Sequence, residues 1–220
     1  MNNKQLAITI EDSLPIQLAV IRISNLLVRN EEKAYQQLLQ CAHRYRELYQ
    51  GKTAGEVPGI HHARKFFRAI GVEPTRRRPS SEALLNRALK GKPFPAINTL
   101  VDVGNWCSLD FLLPICIYDA EKIVGNITVR RGREGETYLA LNNREINLAN
   151  RYVLADEAGP FGSPITDSQR TAITLDTRHC LLIIFAPNNY STETLLGQGN
   201  TFAERVIRFC SGELVELTII

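Results

Sequence analysis

The residues best equipped for chemistry are crowded into one stretch. Asp167-Ser168-Gln169-Arg170-Thr171 places a carboxylate, two hydroxyls and a guanidinium within five positions. Just upstream, Asp156-Glu157-Ala158-Gly159-Pro160-Phe161-Gly162-Ser163-Pro164 combines two glycines with two prolines, which predicts a tightly bent loop. Glycine lets a ligand come close to backbone N–H groups, and loops presented by a rigid scaffold often hold sites. The same residues can instead satisfy one another, Asp and Ser in turns and Arg170 on a carboxylate. Both readings stand.

Other constellations offer less. Gly51-Lys52-Thr53 is not a phosphate-binding loop, because Arg46 stands where that pattern needs glycine and a helix precedes it where a strand is required. His61-His62, Cys41 with His43, and His179-Cys180 lack metal-ligand spacing, so no metal or other cofactor is expected. Cys107 and Cys116 sit among apolar residues, where a thiol is ordinarily buried and inert. No serine stands in a Gly-x-Ser-x-Gly frame.

These residues need elements to position them. Leu6–Ile10 and Ile16–Ile23 read as two strands around Asp12-Ser13-Leu14-Pro15. The period then becomes helical over Glu31–Tyr49, with Ala34, Leu38, Ala42 and Tyr45 on one face. Further helices are predicted at Ile60–Ile70, from a Ser80 cap to Gly91, at Asn98–Phe111, and at Thr192–Cys210, the last weakened near Gly197 and Gly199. Extended segments are predicted at 115–118, 126–131, 136–141, 151–155, 171–175, 180–186 and Leu214–Ile219. Helices gathered early and strands late predict an α+β domain.

The chain of 220 residues, 44% hydrophobic and 22% charged, can bury one sizeable core, and it carries no repeat or linker; a single domain over 1–220 is expected. No apolar run reaches the ~18 residues a membrane span needs, and Glu11-Asp12 interrupts anything like a signal peptide. Five cysteines without CxxC spacing fit a reduced, cytoplasmic protein. Charge is unevenly placed: residues 44–92 hold twelve basic against four acidic side chains, while the remainder is net negative. Arg64, Arg68, Arg76, Arg77, Arg78, Lys90 and Lys92 could form a positive surface suited to phosphates, or a solvated face only.

Three ordered blocks then point to a family. Arg78-Pro79-Ser80-Ser81-Glu82-Ala83-Leu84-Leu85, Ile97-Asn98-Thr99-Leu100-Val101-Asp102-Val103-Gly104-Asn105 and Leu113-Pro114-Ile115-Cys116-Ile117-Tyr118-Asp119 resemble the B3/B4 domain. That domain is the tRNA-editing module of the β subunit of bacterial phenylalanyl-tRNA synthetase, and the likeness is strongest over 78–187. The glycine-rich loop looks like that of free-standing members. The resemblance implies a layered β-sandwich of unusual topology with flanking helices. It also implies a pocket for a wrongly charged amino acid and the terminal adenosine of tRNA, so that water cleaves the ester.

The implied activity is trans-editing of mischarged tRNA, with tRNA rather than DNA or a membrane as partner. Such an ester is already activated, so a positioned water and donors for the developing oxyanion suffice. Ser163, Asp167 and Thr171 are the expected catalytic residues. Asn105, Cys116, Asp119, Gly159, Gly162, Ser168 and Arg170 are expected to bind substrate, Gly159 and Gly162 through backbone N–H groups. Asp119 reads equally as the cap of a turn before Lys122. Cys116 stands where the family pattern has histidine, and a thiol is a poor substitute for imidazole in hydrogen bonding. The alternative is a non-catalytic module that binds tRNA, an amino acid or a metabolite in the same pocket.

Overall fold

Two strands are apolar on both faces and therefore lie at the centre. Cys180–Pro187 (β9) reads Cys-Leu-Leu-Ile-Ile-Phe-Ala-Pro and is buried throughout; Ile16–Ser24 (β2) pairs with it antiparallel from Ile16↔Pro187 to Ile23↔Cys180. In the computed structural model, which describes residues 7–11 and 14–220, these strands are flanked by Glu213–Ile219 (β10) and Ile115–Asp119 (β3), giving the order β10-β2-β9-β3. A second four-stranded sheet runs β1-β4-β7-β8, built from Ile8–Ile10, Ile127–Arg131, Tyr152–Asp156 and Gly159–Gly162. Thr137–Leu139 (β5) and Glu145–Asn147 (β6) form a separate hairpin. Leu6 and the Asp12-Ser13 half of the expected turn lie outside the described residues.

The strand period of two sorts the core into layers. Leu18, Val20, Leu181, Ile183 and Phe185 face the second sheet, where they meet Ile127, Val129, Leu154 and Phe161. This face-to-face packing makes a sandwich. The alternate residues, Ile21, Ile23, Leu182 and Ile184, face Thr99–Phe111 (α4) and Thr192–Cys210 (α5). Glu32–Leu48 (α1), Ile60–Ala69 (α2) and Ser80–Leu89 (α3) build a helical layer with α4 around Leu38, Ile60, Leu85 and Leu109. Each such side chain, fully buried, contributes roughly 1.5–3 kcal/mol. The architecture is α+β, a layered β-sandwich with flanking helices, as the sequence predicts.

Four local expectations are corrected. Residues 171–175 form no strand: Thr177 Oγ1 accepts from Thr174 N at 3.0 Å and Thr174 Oγ1 from Asp176 N at 3.2 Å, so side chains supply the backbone bonds a ladder would have made. Gly159–Gly162 is a strand rather than an open loop, turned back on β7 by Asp156 Oδ1, which accepts from Ala158 N at 2.9 Å. Ser80 is the first residue of α3 and not its cap; the Pro79 carbonyl accepts the first helical bond from Ala83 N at 2.9 Å. α5 runs unbroken through both glycines, and Gly199 packs closely on β10, a Cβ there coming 3.1 Å from Leu217 Cδ1.

Candidate functional site

The three sequence blocks and the 167–173 segment converge on one cavity of about 540 Å³. Its walls come from Ser80 and Leu84 of α3, Val101, Gly104, Asn105 and Ser108 of α4, and Ile115 and Ile117 of β3. Asp167, Thr171, Ala172 and Ile173 close the opposite side. Ile97 and Leu141, both more than half exposed, complete the lining.

Local chemistry fixes α4 in this position. Asn98 Oδ1 caps the helix by accepting from Val101 N at 3.0 Å, and Asp102 Oδ1 accepts from Ile97 N at 3.1 Å. Glycine at 104 lets the helix lie on β3, since a Cβ there would sit 2.2 Å from Ile117 Cδ1. One residue further on, Asn105 faces the cavity, and its amide makes no hydrogen bond among the described residues. Ser108 Oγ donates to Leu113 O at 2.9 Å and so tethers the helix end.

Asp167 is the ionisable group in the wall. Its Oδ1 accepts from the Tyr118 hydroxyl at 2.7 Å. Burial pushes its carboxyl up to about 6, with the Tyr118 hydrogen bond pulling the other way. Thr171 is fully buried; its Oγ1 donates to Phe161 O at 3.3 Å. Asn105, Asp167 and Thr171 are thus the expected site residues that meet at the cavity.

The other expected residues are placed elsewhere. Ser163 is buried outside the cavity wall, and its hydroxyl serves its own turn, donating to Thr166 O at 2.8 Å while accepting from Thr166 N at 3.0 Å. Cys116 faces the inter-sheet core, its thiol donating to Ser163 O at 3.4 Å, and burial raises the thiol well above its usual range. Asp119 is spent on structure: Oδ1 caps the short 3-10 helix Ala120–Lys122 by accepting from Glu121 N at 3.0 Å, and Oδ2 accepts from Thr177 Oγ1 at 2.8 Å. Arg170 grips Asp156 with two bonds of 2.9 Å and donates to Gly159 O and Lys122 O at 3.0 Å. Gly159 begins β8 away from the cavity, with φ of +109°. Gly162 lies against the Tyr118 hydroxyl, and Ser168 is buried with no hydrogen-bond partner for Oγ among the described residues.

The basic residues also divide. Arg64 is committed to the buried carboxylate of Glu82 by two bonds of 2.8 Å, and Arg78 shares that partner at 3.4 Å. Arg76 and Arg78 are exposed and lead directly into Ser80 at the cavity wall. Arg77 is half-buried, and burial together with nearby Arg151 lowers its guanidinium from the usual range. Arg68, Lys90 and Lys92 are exposed at or just beyond the C-terminal ends of α2 and α3. Among the described residues, no group of three His, Cys, Asp or Glu side chains gathers as a metal set, and no helix is long and apolar enough to cross a membrane.

Sequence reasoning missed the aliphatic lining and Tyr118. The signal was present in the alternation of β3: Ile115 and Ile117 face the cavity while Cys116 and Tyr118 face the inter-sheet core.

Known proteins resemble the chain in this same region. The sequence profile of the B3/4 domain family matches residues 62–219. The phenylalanine–tRNA ligase beta subunit of Brucella abortus is 44% identical over 90 residues, covering 40% of this chain and 11% of that subunit. The corresponding subunit of Neisseria meningitidis serogroup B is 27% identical over 158 residues, covering 68% of this chain and 20% of the subunit. The chain therefore spans only a small part of the relatives it matches. An N-terminal fragment of the phenylalanyl-tRNA synthetase beta subunit from Pyrococcus horikoshii superposes with a TM-score of 0.46 at 14% identity, over 96% of this chain and 50% of the other.

Proposed function

The chain belongs to the B3/4 domain family, and on that premise we propose that it receives the aminoacylated end of a tRNA and hydrolyses the ester when the amino acid is wrong, acting in trans. The observation that carries this reading is the convergence of Asn105, Asp167 and Thr171 on an aliphatic cavity with the Arg76–Arg78 segment leading into its wall. The aliphatic surface takes the amino-acid side chain. The exposed arginines meet the tRNA phosphates.

Hydrolysis needs little machinery. Water attacks the ester carbonyl, the carbon–oxygen bond to the ribose breaks, and the ribose oxygen leaves with a proton. A carboxyl near 6 is mostly ionised at pH 7 yet basic enough to accept a proton from water, so Asp167 acts as general base. Thr171, fully buried and bonded to Phe161 O, holds the wall beside that water. The unengaged Asn105 amide donates to the oxyanion, a contribution typically worth 10²–10³ in rate.

The test is deacylation of a panel of correctly and incorrectly charged tRNAs. The wild-type chain clears at least one mischarged species, and Asp167→Asn slows that turnover by about 10²-fold or more while remaining folded. Absence of turnover across the panel would overturn the reading.

A second reading is favoured by one observation: Cys116, at the position where the resemblance expects histidine, faces the inter-sheet core with a neutral thiol. On this reading the cavity binds tRNA, an amino acid or a metabolite without chemistry. Ligand-induced stabilisation with no turnover identifies it, and a salt-dependent affinity for tRNA separates an RNA binder from a metabolite binder.

A further inference from the structure

Resting on the reading of Asp167 as the base, we propose that Tyr118 is the positioning residue that aims this carboxylate into the cavity, and that Gly162 exists to seat the Tyr118 hydroxyl. Tyr118 is completely buried between the two sheets, its ring edge-on to Phe161 at a centroid distance of 5.0 Å. From there its hydroxyl donates to Asp167 Oδ1 at 2.7 Å. The phenol has a single rotatable hydroxyl and a ring packed in place, so the carboxylate it holds is held rigidly.

Gly162 makes that reach possible. A Cβ at this position would lie 2.3 Å from the Tyr118 hydroxyl oxygen and 2.6 Å from its ring. The glycine is therefore a space left for the phenol and not a point of approach for a ligand. Cys116, two residues earlier on the same strand face, gives its thiol to Ser163 O at 3.4 Å and fixes the next turn of the same loop.

The titratable groups around Asp167 are Tyr118 and Cys116 from β3 and Tyr138 from β5. Burial raises all three, Tyr138 to about 12, so none changes charge between pH 5 and 8. On the α4 side the cavity presents Asn105 and Ser108, which do not titrate in that range. A midpoint in that window belongs to Asp167. The phenolic donor favours the ionised carboxylate, so removing it must raise that midpoint.

The experiment is Tyr118→Phe in the full chain, followed by carboxyl-carbon NMR titration, with the Asp167 signal identified by its loss in Asp167→Asn. The midpoint is expected to rise by about 1 pH unit, the effect of one lost hydrogen bond to a charged group. With a mischarged tRNA that the wild type clears, the same shift lowers the rate about fivefold at pH 6 and hardly at all at pH 8. If Tyr118→Phe does not fold, Gly162→Ala displaces the hydroxyl while keeping the phenol and should move the midpoint the same way. An unmoved midpoint, or a rate loss equal at both pH values, would overturn the proposal. Should the wild type clear no tRNA, the hydrolase reading fails, and the carboxyl titration alone decides whether Tyr118 holds Asp167.

Discussion

At the scale of single residues, the polar stretch 156–171 divides its side chains between the cavity and its own construction. Asp167 and Thr171 face the cavity, whereas Asp156, Ser163 and Arg170 hold the segment in shape. The Asp156 carboxylate is wholly buried and also accepts from Val124 N at 2.8 Å and Ala158 N at 2.9 Å. Removing Arg170 leaves that charge without its counter-ion, which costs about 3 kcal/mol for a largely buried pair. Arg170→Ala should therefore lower the urea midpoint markedly, and Arg170→Lys should recover only part of it, because a lysine cannot reproduce the fork. An Arg170→Ala variant as stable as wild type would mean that the clamp contributes little. Any loss of activity in that variant is then to be read first as a loss of structure.

At the scale of elements, the cavity depends on how one strand packs on one helix. β3 sends Ile117 toward α4, and Gly104 receives it with no room for a methyl group. Gly104→Ala should destabilise the fold by roughly 1–3 kcal/mol through overpacking, and Ile117→Val, which removes the offending Cδ1, should restore most of that in the double variant. Thermal melts of the two single variants and the pair give the coupling directly; simple additivity would contradict the contact. Legibility followed periodicity. The α1 pattern through Ala34, Leu38 and Ala42 and the apolar run of β9 are long enough to declare themselves, and both occur where expected. Gly159–Gly162 did not, because its Gly-Pro composition favours a turn and only pairing with β7 makes it a strand. Residues 171–175 failed for the converse reason: β-branched threonines promise a strand, but their hydroxyls capture the local backbone. The second sequence block named Asn105 and the polar stretch 167–171 named Asp167, yet that Cys116 faces away from the cavity while Ile117 faces into it follows from the register of β3 against β9.

At the scale of the whole molecule, the decisive arrangement is the meeting of a positive segment with a cavity whose walls come from five separate parts of the chain. Residues 44–92 carry all of the excess positive charge, but the structure does not leave all of it free. Arg64 is consumed by Glu82, a buried acid, so its loss should appear as instability and not as weaker phosphate binding. Arg76, Arg77 and Arg78 differ from it in exposure, two being exposed and one half-buried on the approach to Ser80, although Arg78 also touches Glu82 at 3.4 Å. If these three meet tRNA phosphates, replacing them with glutamine should weaken tRNA binding several-fold at physiological salt. It should also flatten the plot of log affinity against log salt by about 2, since each contact releases most of one counterion. Arg64→Gln should leave that slope unchanged while lowering the melting temperature. An unchanged slope in the triple variant would move the tRNA contact to Arg68, Lys90 and Lys92 beyond α2 and α3.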